Sequence, residues 1–236
     1  MLLENYYTKN QNTFSVTPQQ ASDFAKFVAG DFNPIHDADA KRYCAPGDLL
    51  FAIVVSNFGL FEKMSIEFSG MVSDTTSLIF TDLDKSAILS DENEKQYLSI
   101  NKQGLKISNQ KAINSLIEKY VEFSGQAFPH VLVPQMSEKN VMINPDRPLV
   151  IYKQMEIEIE PIEFSEPELQ LTNTIFDVNG KRGEICLEFD IREKNNKIGN
   201  GKKIMTLSGL RPFDQEQIDT LVENYNTRKN NFLNSQ

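Results

Sequence analysis

Two side chains five positions apart, Asp31 and His36, are the strongest candidates for chemistry in this sequence. They lie in the stretch Gly30-Asp31-Phe32-Asn33-Pro34-Ile35-His36. A carboxylate and an imidazole that share one water form an acid/base pair when their surroundings set the two protonation equilibria apart. Asn33 is placed to orient Asp31 or to bind a ligand, and Pro34 stiffens the loop by fixing its own φ. Farther on, Ala45-Pro46-Gly47-Asp48 leads into a strongly apolar run. A helix that begins there would present the Gly47 N–H, helped by the helix dipole, to an oxygen gaining negative charge. Asp48 beside it is a further candidate for substrate binding. A plainer reading competes: Asp31 and Asn33 are ordinary turn and capping residues, and His36 can simply satisfy backbone groups.

These residues need rigid supports. Thr17-Pro18-Gln19-Gln20 has the form of a capping box with proline at the first helical position. Ala21, Phe24, Ala25 and Val28 then follow at helical spacing, and Gly30 is suited to end the helix in a left-handed turn. Residues 48–61 are apolar nearly all round. Ile53-Val54-Val55 would suit a strand, but the length and Asp48 as N-cap favour a helix, and a helix apolar on every side must be buried.

The wrapping is expected downstream. Met64, Ile66 and Phe68 alternate with polar residues, and residues 77–82, 86–89 and 96–101 are further strand candidates. Residues 109–124 return to helical period, and residues 128–148 are proline-punctuated and read as irregular. A second run of strands follows: Leu149 to Ile159, residues 168–178, Ile185 to Ile191 after an Asn179-Gly180 turn, and residues 202–207. Residues 195–201, rich in Asn and Gly, read as a hairpin connection. Residues 212–226 read as a terminal helix and 230–236 as a frayed polar tail. A helix followed by four strands thus occurs twice, which indicates an α+β fold.

The Gly-Asp, Asn-Pro and His residues, in register with Ala45-Pro46-Gly47, resemble the motif of the MaoC-like, R-specific enoyl-CoA hydratases. The resemblance covers residues 21–62, and the chain as a whole looks like a family of uncharacterised bacterial proteins of about this length. It implies a hotdog fold, an antiparallel sheet wrapped round a central helix; the repeated element order makes this a double hotdog with halves at 1–104 and 105–236, and the alternative is one hotdog with residues 103–148 inserted. It implies hydration or dehydration of a 2-enoyl or 3-hydroxyacyl thioester, carried on coenzyme A or a carrier protein. Asp31 and His36 would be the acid/base pair, Gly47 the oxyanion donor, and Asn33 and Asp48 substrate contacts, with no cofactor and no metal. A homodimer stays open. Two features depart from the family: the interval from His36 to Gly47 is shorter, and Asp48 stands where an apolar residue is usual. They favour an alternative of another class, a hotdog protein that binds an acyl ligand or protein partner without catalysis; a thioesterase is the nearby variant of the enzyme, since the same fold and helix end serve hydrolysis.

Composition bounds the rest. The 236 residues carry a net charge of −9, which argues against a general nucleic-acid binder or a protein that docks on anionic lipid. Cys44 and Cys186 are too few and too far apart for a zinc or disulfide framework and read as packing residues. The N-terminal residues lack a signal-peptide pattern and the longest apolar run is too short to span a bilayer, so a cytoplasmic protein is expected. Glu156, Glu158 and Glu160 read as the solvent face of a strand, and His130 as structural. Lys202 and Lys203 offer only a weak phosphate signal.

Overall fold

The computed structural model describes residues 3–40, 43–74 and 76–235. Its first layer is short: strands β1 (Thr8–Asn10) and β2 (Thr13–Ser15), then helix α1 (Pro18–Asp23). Thr17 and Gln20 form the reciprocal capping box at the start of α1. The helix widens into a π-helical segment, Phe24–Ala29, and Gly30 closes it at φ 64°, where a glycine carries no Cβ penalty.

Helix α2 (Gly47–Phe58) is the element round which the fold is built. Leu49 to Val55 are all buried, so no face of its middle turns reaches water. The apolar run therefore forms a helix as expected, but one shorter than residues 48–61. Gly59, at φ 97°, stops it, and Leu60 already begins strand β3 (Leu60–Phe68). Strands β4 (Leu78–Asp82), β5 (Ser86–Ser90) and β6 (Gln96–Ile107) complete the first run.

Helix α3 (Gln110–Gly125) follows, capped by the Asn109 side chain, and packs beside α2. The first half of the stretch expected to be irregular is helical instead, in α4 (Ala127–His130) and α5 (Leu132–Glu138), while residues 143–148 are irregular as expected. Pro134 is tolerated because it sits in the first turn of α5, where a missing N–H costs no intrahelical bond. Next come β7 (Val141–Met142), β8 (Val150–Ile159), β9 (Pro167–Asn179), β10 (Arg182–Glu193), β11 (Asn196–Ser208) and β12 (Arg211–Pro212). Helix α6 (Gln215–Asn234) ends the described chain.

The two strand runs join in one ten-stranded antiparallel sheet, ordered β1-β2-β4-β5-β6-β3-β8-β11-β10-β9. The seam is β3 against β8, with Ile66 opposite Met155 and Met64 opposite Ile157. One apolar cluster contains α2, α3 and the inward side chains of both runs, and a second lies under α5 and α6. Met155, Ile157 and Ile159 point into the core while Glu158 and Glu160 face out.

Two further expectations need correction. Residues 195–201 are not a hairpin connection: β11 starts at Asn196, and the turn is Lys194-Asn195, with Lys194 at φ 57°. The glycines serve packing instead. A Cβ on Gly201 would lie 2.4 Å from the Phe189 ring, and one on Gly199 2.5 Å from the Glu158 carbonyl. Residues 230–235 are not a frayed tail either, because α6 runs to Asn234, and Phe232 packs edge-on against Phe27 and Phe32. Gln236 lies outside the described residues.

Candidate functional site

The loop bearing Asp31 and His36 springs from a fixed helix end. The Asp31 N–H donates to the Ala25 carbonyl at 2.8 Å. Asp31 Oδ1 accepts the Asn33 N–H at 2.9 Å, and Asn33 Oδ1 in turn accepts the Ile35 N–H at 3.2 Å. Asn33 thereby caps the 3₁₀ turn Pro34–His36, with Pro34 in the first position where its fixed φ fits. This interlock uses one Asp31 oxygen and leaves the other, Oδ2, 3.5 Å from His36 Nε2. His36 Nδ1 is buried and has no partner among the described residues. A buried polar atom in that state is one that a bound group would satisfy.

Helix α6 holds the same loop from behind. The Tyr225 hydroxyl donates to the Gly30 carbonyl at 3.0 Å, and the Tyr225 ring meets Phe32 and Phe128 edge-on. Burial, and then the nearby Asp31 carboxylate, push the Tyr225 phenol up to about 12. Asp37 is bound by Arg228 at 2.5 Å and by Lys26 at 3.0 Å. Burial alone would raise its pKa, but these two cations outweigh it and hold the carboxyl below its ordinary value.

At the start of α2, Pro46 offers no side-chain cap. The Leu49 and Leu50 N–H groups both turn to the Pro46 carbonyl, at 3.1 and 3.2 Å. The Gly47 and Asp48 N–H groups have no acceptor among the described residues. Gly47 is required by close approach: a Cβ there would stand 2.4 Å from Tyr152 Cδ1.

A polar cluster lies beside this helix end. The Asp48 carboxylate accepts the Ser124 hydroxyl at 2.5 Å, and Lys203 Nζ lies 3.4 Å from each of its oxygens. Lys203 also donates to Ser124 Oγ and sits 4.3 Å from the centroid of the Tyr152 ring. Tyr152 stacks on Phe68 and shares a hydrogen bond with the Tyr120 hydroxyl. Burial, and then neighbouring charge that includes Asp48, pushes both phenols well above the ordinary value. Lys203 is only 5% exposed.

Asp31, Asn33, His36, Gly47 and Asp48 all line one cavity of about 350 Å³, together with Ser124 and Lys203. Its remaining wall is mostly apolar, with Leu50, Phe128, Leu132, Ile143 and Met205 among the side chains. The cavity thus brings together a carboxylate beside an imidazole, two N–H groups without an acceptor among the described residues, and an apolar wall. A larger and more open depression of about 710 Å³, between α5 and α6, contains His130 but neither Asp31 nor His36. Among the described residues no group of three or more His, Cys, Asp or Glu could hold a metal ion. No helix there is long and apolar enough to cross a membrane.

Sequence reasoning passed over Ser124 and took Lys203 for a weak phosphate contact. The available signal was alternation: Gly201, Lys203, Met205 and Leu207 share the buried face of β11. A lysine in that series stands where only a paired charge is tolerated.

A family model described as "Protein of unknown function (DUF3581)" matches residues 1–216. No curated protein matches the chain. Among solved structures, an acyl-CoA thioesterase II from Mycobacterium marinum is 8% identical, with 90% of this chain and 99% of that one covered at a TM-score of 0.44. An acyl-ACP thioesterase from Bacteroides thetaiotaomicron is 11% identical, covering 87% and 100% at 0.38. The full-length peroxisomal multifunctional enzyme type 2 from Drosophila melanogaster is 10% identical, covering 81% of this chain and 47% of that one at 0.43.

Proposed function

The chain belongs to the family described as protein of unknown function (DUF3581), and we propose for it an activity on acyl thioesters: addition of water to a 2-enoyl thioester, or the reverse. The observation that carries this is the shared cavity, which Asp31, His36 and Gly47 all line together with an apolar wall.

The chemistry balances without a cofactor. Asp31 Oδ2 takes a proton from water while the water oxygen bonds to C3 of the enoyl group. Electrons of the C2=C3 double bond shift towards the thioester carbonyl, whose oxygen gains charge. The unpaired Gly47 and Asp48 N–H groups receive that oxygen at the positive end of α2. His36 then delivers a proton to C2, and the proton on Asp31 returns to His36 across the 3.5 Å that separates them. In this reading Asn33 is a positioning residue, since its N–H and side chain fix the Asp31 loop.

The same reading takes the fold as a double hotdog. Helix α2 with β3–β6 forms one unit and α3 with β8–β11 the other, and the seam β3–β8 makes one chain resemble a dimer of single hotdogs. The element order helix-then-four-strands, repeated, and the contact of α2 with α3 support it.

The test is a substrate panel with purified protein. Crotonyl-CoA loses its double-bond absorbance if the reading is right, with no thiol released. Release of free thiol from saturated acyl-CoA would assign the cavity to thioester hydrolysis instead. Binding of acyl-CoA without either product would assign it to a non-catalytic acyl binder.

A further inference from the structure

Asp48 presents a puzzle for the acyl-thioester reading. Its carboxylate stands in the first turn of α2, next to the N–H groups that would receive a negatively charged oxygen. An unopposed carboxylate beside a developing oxyanion repels it, and the more strongly at the low effective dielectric of a partly buried site. That repulsion would offset the stabilisation that the N–H donors contribute.

We infer, given the acyl-thioester reading, that Lys203 is the positioning and charge-balancing residue that makes this helix end usable by an anion. Lys203 comes from β11 in the second half of the chain, and Asp48 from the first turn of the helix that dominates the first half. Its ammonium lies 3.4 Å from both Asp48 oxygens and is held there on two further sides. Ser124, from the last turn of α3, bridges the pair by accepting from Lys203 and donating to Asp48. The face of Tyr152 lies 4.3 Å away on the third side. A lysine this buried loses much of its hydration, and the Asp48 carboxylate, the Ser124 hydroxyl and the Tyr152 ring together replace it.

The cluster thus converts a carboxylate that would repel an enolate into a neutral dipole, and it draws the Asp48 side chain onto Ser124 and Lys203. Tyr152, whose face Lys203 covers, also packs against the Gly47 backbone closely enough to leave no room for a Cβ there. Three separate elements, α3, β8 and β11, therefore converge on the first turn of α2. The motif loop with Asp31 and His36 carries none of this, so the two halves of the chain contribute different parts of one site.

The test reads enolate stabilisation directly and does not depend on turnover. Acetoacetyl-CoA, a 3-oxoacyl thioester, loses its C2 proton to a base and places the electron pair on oxygen, and its enolate absorbs in the near ultraviolet where the keto form does not. Wild-type protein should show the enolate band on titration. Lys203→Met should weaken that band on the order of tenfold, because Asp48 is left unopposed beside the oxygen. Asp48→Asn alone, which leaves the ammonium unopposed, should strengthen it. The double variant should return towards wild type, and the same order should appear in kcat for crotonyl-CoA with KM little changed. If Lys203→Met does not fold, Asp48→Asn carries the test, and an unchanged or weaker band overturns the inference. Normal enolate and normal turnover in Lys203→Met would overturn the role of Lys203 while leaving the acyl-thioester reading intact. No band and no turnover in wild type would remove that reading and this inference with it.

Discussion

The hydroxyl of Tyr225 donates to the carbonyl of Gly30 at 3.0 Å, across 195 positions of sequence. It ties the last helix to the left-handed residue from which the Asp31–His36 loop departs. Helix α6 is thus part of the loop's support. Tyr225→Phe removes the donor and leaves the carbonyl short of a partner, at a cost of about 1–3 kcal/mol. Urea unfolding should show that loss, and any turnover should fall with it because Asp31 is less firmly held. Unchanged stability would mean that the ring contacts with Phe32 and Phe128 alone hold the helix.

The same phenol gives a pH dependence. Its pKa in the folded protein is raised to about 12, against about 10 in an unfolded chain. A raised value means the folded state keeps its proton while the unfolded state loses it. The stability from this group is therefore fully present below pH about 10 and falls as pH rises towards 12. Thermal melts across that interval should drop more steeply for wild type than for Tyr225→Phe. Parallel curves would refute the assignment.

Gly47→Ala should fail for steric reasons. The new Cβ would sit 2.4 Å from Tyr152 Cδ1, and Tyr152 cannot withdraw, because it stacks on Phe68 and supports Lys203. Overpacking of this kind costs about 1–3 kcal/mol. A melting temperature within error of wild type would show that the Tyr152 ring has space to move.

Much of this architecture was legible because local rules and the tertiary fold agree. Thr17 with Gln20 caps α1, Gly30 ends its π-helical extension, and the apolar run after Asp48 is a buried helix. The alternating Met155, Ile157 and Ile159 mark a strand face, and Asn179-Gly180 marks a turn. The failures have a common cause. Gly199 and Gly201 look like turn residues, yet they are small because neighbouring backbone and the Phe189 ring press against β11. Pro134 looks like a helix breaker, yet it lies in a first turn. Asp48 and Lys203 are 155 positions apart, and only folding brings them to 3.4 Å. That Asp31, Asn33, His36 and Gly47 would face one cavity was legible because a stiff, locally determined loop and one helix start carry them. Ser124 and Lys203 were not, because their meaning comes from a partner distant in sequence.

Asp31 and His36 are proposed to act as one acid/base pair on a thioester held at the start of α2. Hydration of crotonyl-CoA by wild type, Asp31→Asn and His36→Ala, with a thermal melt of each, tests it most directly. General acid–base groups contribute about 10²- to 10⁴-fold, so each variant should lose at least about a hundredfold in kcat while melting close to wild type. Asp31→Asn keeps an oxygen to accept the Asn33 N–H, so the loop should survive that change. Wild-type protein that leaves crotonyl-CoA untouched, or variants that hydrate it as fast as wild type, would contradict the account.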